Sequence, residues 1–329
     1  MKKVINDPNG VVDDMLNGIL KAYPNRYKRL EGTTVLARKD APVDGKVALV
    51  SGGGSGHEPS HAGFVGKGML DAAVSGEVFT SPTPDQVYEA IKAVDSGAGV
   101  LLVIKNYTGD VMNFEMAAEM AEAEGIKVAK VVVNDDVAVE DSTYTTGRRG
   151  IAGTVFVHKL AGAKAERGGK LDEVEAVANK VIENVRSMGI ALTPCTIPAA
   201  GQPGFVIGDN EMEIGMGIHG EPGTERTTIQ SSKAIADLLV EKTSAELDLD
   251  ANSKVAVLIN GLGATPLMEL YILNNDVSDA LKEKGVAVYR TFVGEYMTSM
   301  EMTGLSLTLL KLDDELMELL EDETEAIGW

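Results

Sequence analysis

Two histidines four residues apart, His57 and His61, close a run that reads Ser51-Gly-Gly-Gly-Ser-Gly-His-Glu-Pro-Ser-His61. The letters match the zinc-protease pattern His-Glu-x-x-His, which needs both rings one turn apart on a regular helix. Pro59 falls between them and removes a backbone donor. Every residue from Ser51 to Gly56 is Gly or Ser, so no helix leads into the pattern, and no metal site is assigned. A nucleotide P-loop would need Lys and Ser/Thr after the last glycine, and the dinucleotide fingerprint a different glycine spacing; the run has neither. Gly52, Gly53, Gly54 and Gly56 cost backbone entropy in a strand or helix. They fit a loop that turns sharply and lets a ligand approach its N–H groups.

His219 is the second candidate. The segment Glu211–Ile218 alternates, with Met212, Ile214, Met216 and Ile218 on one face and Glu211, Glu213, Gly215 and Gly217 on the other. Strand parity places His219 on the glycine face, where missing side chains leave room, before Gly220-Glu-Pro-Gly223 turns the chain away. A histidine there can act as nucleophile or proton carrier. From spacing alone, a loop histidine donating one hydrogen bond accounts for it at least as well. Asp110 reads as the N-cap of a helix from Val111, a position that stabilises its carboxylate and weakens it as a base. Lys105 and Arg148-Arg149 read as solvated charges, with phosphate contact the less common role. His158 reads as structural, and Cys195 as packing.

The elements that must position these residues follow from periodicity. Residues 11–22 form an amphipathic helix, and strands are expected at Thr34–Arg38 and Lys46–Val50. A helix starts at Thr83, with Pro84 at its first position and Gln86 closing a capping box. The run Gly99–Ile104 reads as a central parallel strand. The loop Lys105–Asp110 follows, then a helix over 111–124 stopped by Gly125, and a strand at Lys127–Val133. Strand, loop, helix and strand in this order predict an α/β fold with a doubly wound, largely parallel N-terminal sheet, whose ligands bind beyond the strands' carboxyl ends. The glycine run and the Lys105 loop should then share one crevice. Helices are expected over 151–166 and 171–188, and the change to short Pro- and Gly-rich strands divides the chain into two α/β domains, 1–188 and 189–329. The second contains a helix over 232–242, strands at 254–260, 286–293 and 305–310, a long helix capped by Thr265-Pro266, and an acidic helix over 313–321.

At 329 residues the chain can hold two full-sized cores. Its formal net charge of −20 opposes binding to duplex nucleic acid and to anionic lipid. No apolar run reaches the roughly 20 residues of a membrane span. The N-terminus lacks the apolar stretch of a signal peptide, and a single cysteine rules out an internal disulfide. A cytoplasmic protein is expected.

Four motifs in order, Ser51–His61, Lys105-Asn-Tyr-Thr-Gly-Asp110, Gly147-Arg-Arg-Gly-Ile-Ala-Gly-Thr154 and Gly215-Met-Gly-Ile-His-Gly-Glu-Pro-Gly223, closely resemble the dihydroxyacetone kinase family, and within it the substrate-binding K subunit. The resemblance covers essentially the whole chain. It implies two α/β domains, a homodimer, and dihydroxyacetone held as a covalent hemiaminal on His219. It implies further that Gly54, Ser55, Gly56 and Lys105 surround the ketone, and that His57 and Asp110 share acid–base work, with the assignment between them open. Single-chain ATP-dependent members carry a helical nucleotide-binding domain after this region. Because the sequence stops at Trp329, the bacterial type is expected, in which this chain binds no cofactor. An L subunit then holds ADP, which the phosphoenolpyruvate phosphotransferase system recharges through an M subunit. Arg148-Arg149 could touch the transferred phosphate or that partner. Related members bind dihydroxyacetone and switch a transcription factor instead, so a non-catalytic sensor is the alternative.

Overall fold

Two six-stranded sheets organise the chain in a computed structural model that describes residues 2–142 and 144–329. The order begins α1 (Val11–Ala22), β1 (Tyr27–Arg29), β2 (Val35–Arg38), β3 (Ala48–Ser55) and β4 (Ala72–Val78). It continues through α2 (Pro84–Val94), β5 (Val100–Lys105), α3 (Thr108–Ala123) and β6 (Val128–Val133). Two helices, α4 (Thr154–Glu166) and α5 (Leu171–Asn184), lead to β7 (Val185–Ala191), β8 (Glu211–Ile214) and β9 (Glu225–Thr228). The remainder is α6 (Ser232–Ser244), β10 (Lys254–Gly261), α7 (Leu267–Glu283), β11 (Ala287–Gly294), β12 (Gly304–Leu312) and α8 (Asp314–Leu320).

The first sheet has the order β1-β2-β4-β3-β5-β6. Its four strands β4, β3, β5 and β6 are parallel, and β1 and β2 add an antiparallel edge. Along β5, Leu101 and Val103 pack into the core beside α4 and α5, while Val100, Leu102 and Ile104 pack against α2 and α3. Helices on both faces explain why this strand is apolar throughout. The second sheet, β11-β10-β12-β7-β8-β9, is antiparallel except for the β10/β11 pair. Helices α6 and α7 cover its outer face. Its inner residues Ala256, Leu258 and Leu310 join Leu101, Val155 and Val181 in one continuous core. Helix α4 therefore lies between the sheets, with every residue from Thr154 to Ala163 buried. Among the described residues no helix is long and apolar enough to cross a membrane.

Several boundaries differ from the sequence reading, each for a tertiary reason. The glycines do not end β3 at Val50: Gly52, Gly53 and Gly54 stay in the strand and pair with β4. A side chain at Gly52 would strike the Val74 carbonyl, so close approach of a neighbouring strand favours glycine there. Gln86 closes no capping box; its Oε1 accepts from the Thr34 N–H at 2.8 Å and ties α2 to the sheet. Helix α3 begins at Thr108, which puts Asp110 inside its first turn instead of at the cap. Helix α5 stops at Asn184, and β7 then straddles the expected division at 188. Pro266, not Thr265, occupies the cap of α7, and the Thr265 hydroxyl bonds to the Gly304 carbonyl. Strand β8 ends at Ile214 because Gly215, at φ +77, turns the chain, so strand parity does not carry as far as His219.

Candidate active site

The carboxyl ends of β3, β4 and β5 open into a cleft of about 710 Å³, with Gly54, Phe79, Tyr107, Asp110, Asn113 and His219 among its lining residues. The glycine run and the Lys105 loop do meet there. A Cβ on Gly53, which has φ +159, would lie 2.5 Å from Lys105 Nζ and 3.6 Å from Asp110 Oδ2. Lys105 is fully buried, contrary to its reading as a solvated charge, and its ammonium sits 3.2 Å from Asp110 Oδ2. The other oxygen, Asp110 Oδ1, is buried with no protein partner among the described residues. A buried carboxylate oxygen left open beside a cleft can take a hydrogen bond or a proton from a ligand hydroxyl.

His57 follows the glycines and is clamped by the loop after β11. Thr298 N–H donates to the His57 carbonyl at 3.2 Å, and His57 Nδ1 donates to the Thr298 carbonyl at 2.7 Å. That bond puts the proton on Nδ1 and leaves Nε2 with its lone pair, buried and unpartnered among the described residues. Burial, then His219 and Lys105 nearby, hold its ring well below the ordinary histidine range, so it is neutral at pH 7. Phe79, in the turn after β4, stacks on His57 at 5.0 Å.

His219 enters from the second sheet, on the turn beyond β8. Its ring sits edge-on to Tyr107 at 4.6 Å, to His57 at 4.8 Å and to Phe79 at 5.2 Å. Glu221 accepts from His219 Nδ1 through Oε1 and from the His219 backbone N–H through Oε2, both at 2.8 Å. Burial pushes the Glu221 carboxyl up, but His219, the hydrogen bonds and Arg149 outweigh it and hold the group down at about 2. Burial and the Glu221 charge push the Tyr107 phenol well above its ordinary value.

The remaining sequence candidates fall around this core. Gly54 lines the cleft, packed against the Phe79–Thr80 backbone. Ser55 turns away, its hydroxyl donating to the Gly76 carbonyl at 2.7 Å. Gly56 gives its N–H to the Glu58 carboxylate and its carbonyl to Met300 N–H, fastening the loop from behind. His61 pairs with His158 at 3.0 Å, away from His219, and His158 sits buried on α4. Arg148 is half-buried and ion-paired to Glu246, whereas Arg149 is fully buried on Asp136 at 2.8 Å, so the pair is not a solvated one. Cys195 is buried, 3.7 Å from the Ser299 hydroxyl. Sequence reasoning missed Phe79, Tyr107 and Glu221, and it set Arg149 at the surface when the chain buries it on Asp136. Only Glu221 left a signal: a carboxylate two residues beyond a candidate nucleophile, read there as part of a turn.

Comparison with known proteins gives one consistent picture. A model of the Dak1 domain matches residues 17–328. The dihydroxyacetone-binding subunit DhaK of PTS-dependent dihydroxyacetone kinase 1 from Listeria innocua is 59% identical over 330 residues, covering all of both chains. Among solved structures, the dihydroxyacetone kinase operon co-activator Dha-DhaQ matches with a TM-score of 0.90 at 40% identity, covering 96% of this chain and 97% of the other. The dihydroxyacetone kinase from C. freundii, in complex with AMP-PNP and Mg2+, matches with a TM-score of 0.91 at 39% identity over all of this chain and 60% of that one. The chain belongs to the Dak1 domain family.

Proposed function

We propose that this chain is the dihydroxyacetone-binding subunit of a phosphotransferase-system-dependent dihydroxyacetone kinase, and that His219 captures the sugar covalently. The observation that carries the reading is the Glu221 carboxylate on His219 Nδ1, in a cleft shared with Asp110 and backed by His57. An ionised carboxylate only accepts hydrogen bonds, so the ring proton belongs on Nδ1 and the lone pair on Nε2. Nε2 gives that pair to the ketone carbon, and the C=O π pair moves to the oxygen, which takes a proton from solvent. The ring is left cationic with Glu221 as its counter-ion. Glycerol has no electrophilic carbon, so capture separates two small molecules that shape alone distinguishes poorly.

The terminal hydroxyl of the held sugar is the acceptor for phosphoryl transfer. His57 Nε2 or Asp110 Oδ1 takes its proton as the oxygen attacks the phosphoryl group and ADP leaves. A cleft of about 710 Å³ exceeds a three-carbon sugar and leaves room for a donor to enter. We assign that donor to an L subunit that holds the nucleotide and is recharged through an M subunit, all in the cytoplasm. A second copy of the chain completes the K subunit. Exposed Leu267, Met268, Tyr271 and Ile272 on α7, with Val288 and Tyr289 on the edge strand β11, support such pairing.

Reconstitution tests the reading. Dihydroxyacetone phosphate should form when the chain is combined with L and M subunits, phosphoenolpyruvate and the general phosphotransferase proteins, and not with ATP alone. Absence of product in the complete mixture, or full activity with ATP alone, contradicts it. The likeness to the Dha-DhaQ co-activator supports a second reading, a sensor that binds the sugar and switches a transcription regulator. A pull-down that recovers a regulator and no L subunit would favour the sensor.

A further inference from the structure

His219 does not hold its own orientation. Its ring meets the cleft on one side and the buried Glu221 carboxylate on the other. Glu221 is buried to 2% exposure, and both of its oxygens are committed to His219, one to the ring and one to the backbone N–H. A buried carboxylate needs a compensating positive charge. Arg149 lies behind it, fully buried. Its Nε donates to Asp136 Oδ2 at 2.8 Å, and its Nη2 donates to the Gly215 carbonyl at 2.7 Å, where β8 turns toward His219. Its Nη1 makes no hydrogen bond among the described residues. A side chain at Gly217 would collide with both Glu221 Oε2 and Arg149 Nη1, so the two groups press on the same glycine from within.

We propose that Glu221 is a positioning residue that fixes His219 as the Nδ1-protonated tautomer, and that Arg149, through its bond to the Gly215 carbonyl, holds the start of the turn that carries both. This inference rests on the capture reading above, because the tautomer matters only if Nε2 is the nucleophile. A Gln at 221 can offer Nδ1 an amide N–H instead of an oxygen. The ring proton is then free to move to Nε2, the atom that must carry the lone pair. Carboxylates that orient metal-binding histidines change affinity by about ten- to hundred-fold when removed, and loss of Glu221 is expected to act on the same scale.

The test is nitrogen NMR of histidine-labelled full-length protein at pH 7.5, alongside calorimetric titration with dihydroxyacetone, for the unsubstituted chain, Glu221→Gln and His219→Gln. In the unsubstituted chain His219 should show a protonated Nδ1 and a bare Nε2. In Glu221→Gln it should show a mixed or reversed pattern, with dihydroxyacetone affinity about ten- to hundred-fold lower. Should Glu221→Gln fail to fold, Glu221→Asp keeps the charge and withdraws it from the ring by one methylene; the same mixed pattern is expected. An unchanged tautomer in the variant that folds overturns the inference even if affinity falls, since a turn that merely holds the backbone would behave that way. A doubly protonated ring in the unsubstituted chain also overturns it. Unchanged sugar binding by His219→Gln refutes capture itself, a separate failure.

Discussion

A single methyl group at Gly54 should disturb both the stability of the fold and the shape of the cleft. A Cβ there would stand 2.6 Å from Thr80 N, 2.7 Å from Phe79 Cα and 2.8 Å from Phe79 C. All three are main-chain atoms of the turn leaving β4, and Phe79 itself sits at φ +56, so no side-chain rotation relieves the clash. Overpacking of this kind costs about 1–3 kcal/mol. At about 2–4 °C per kcal/mol for domains of 150–250 residues, Gly54→Ala should lower Tm by about 2–12 °C. The displaced turn carries the Phe79 ring that stacks on His57 and abuts His219, so dihydroxyacetone affinity should fall by about tenfold or more. Gly18→Ala is the control: it lies in α1 with nothing within 4 Å of an added Cβ, and should stabilise by about 0.5–1 kcal/mol. Scanning and titration calorimetry read both effects. A Gly54→Ala protein that melts within about 1 °C of the unsubstituted chain and binds the sugar equally well refutes the packing argument.

Other consequences follow from the buried charges and rings. His57 and His61 are held well below their ordinary range, and His158 at about 3, chiefly by burial, so unfolding lets each take up a proton in acid. The stability they permit is complete above pH 6.5 and declines below it by about 1.4 kcal/mol per pH unit for each group until its folded value is reached. Denaturant melts at pH 7 and pH 5 should differ by several kcal/mol, and equal midpoints would contradict the burial of the neutral rings. Glu221 acts in a separate window: its contribution is present above about pH 4.5 and is lost as pH falls toward about 2. Arg149→Met would strand Asp136 without its cation, and equilibrium unfolding should show a loss of about 3–5 kcal/mol; a loss below about 1 kcal/mol, the scale of a surface pair, argues against the buried ion pair.

Four strands of the first sheet, β2, β3, β5 and β6, were legible because they obey local rules, whereas β1 and β4 were not anticipated. The buried run of β5, the stop at Gly125 and the amphipathic face of α1 carry their signals within a dozen residues. The crevice shared by the glycine run and Lys105 followed from the rule that ligands sit at the carboxyl ends of parallel strands. What escaped depended on distant partners. Gly52 and Gly54 stay in β3 because Val74 and the Phe79–Thr80 turn come too close for side chains, a fact stored 22 to 26 residues away. Lys105 and Arg149 looked like surface charges because a sequence shows charge but not the carboxylates, Asp110 and Asp136, that allow its burial. Alternation around Glu211–Ile218 overstated β8, since Gly215 bends the chain at φ +77 to pair with a turn the pattern could not reveal. Tyr107 and Phe79 gave no chemical signal at all; they matter because three chain segments converge on His219.

The most direct test is a crystal of the full-length chain soaked in dihydroxyacetone near pH 7.5. The account predicts continuous density between His219 Nε2 and the central carbon of the sugar, at a single-bond length of about 1.5 Å, with Glu221 still on Nδ1. A sugar resolved in the cleft with an intact planar ketone, more than about 3 Å from a ring turned away from it, would contradict covalent capture.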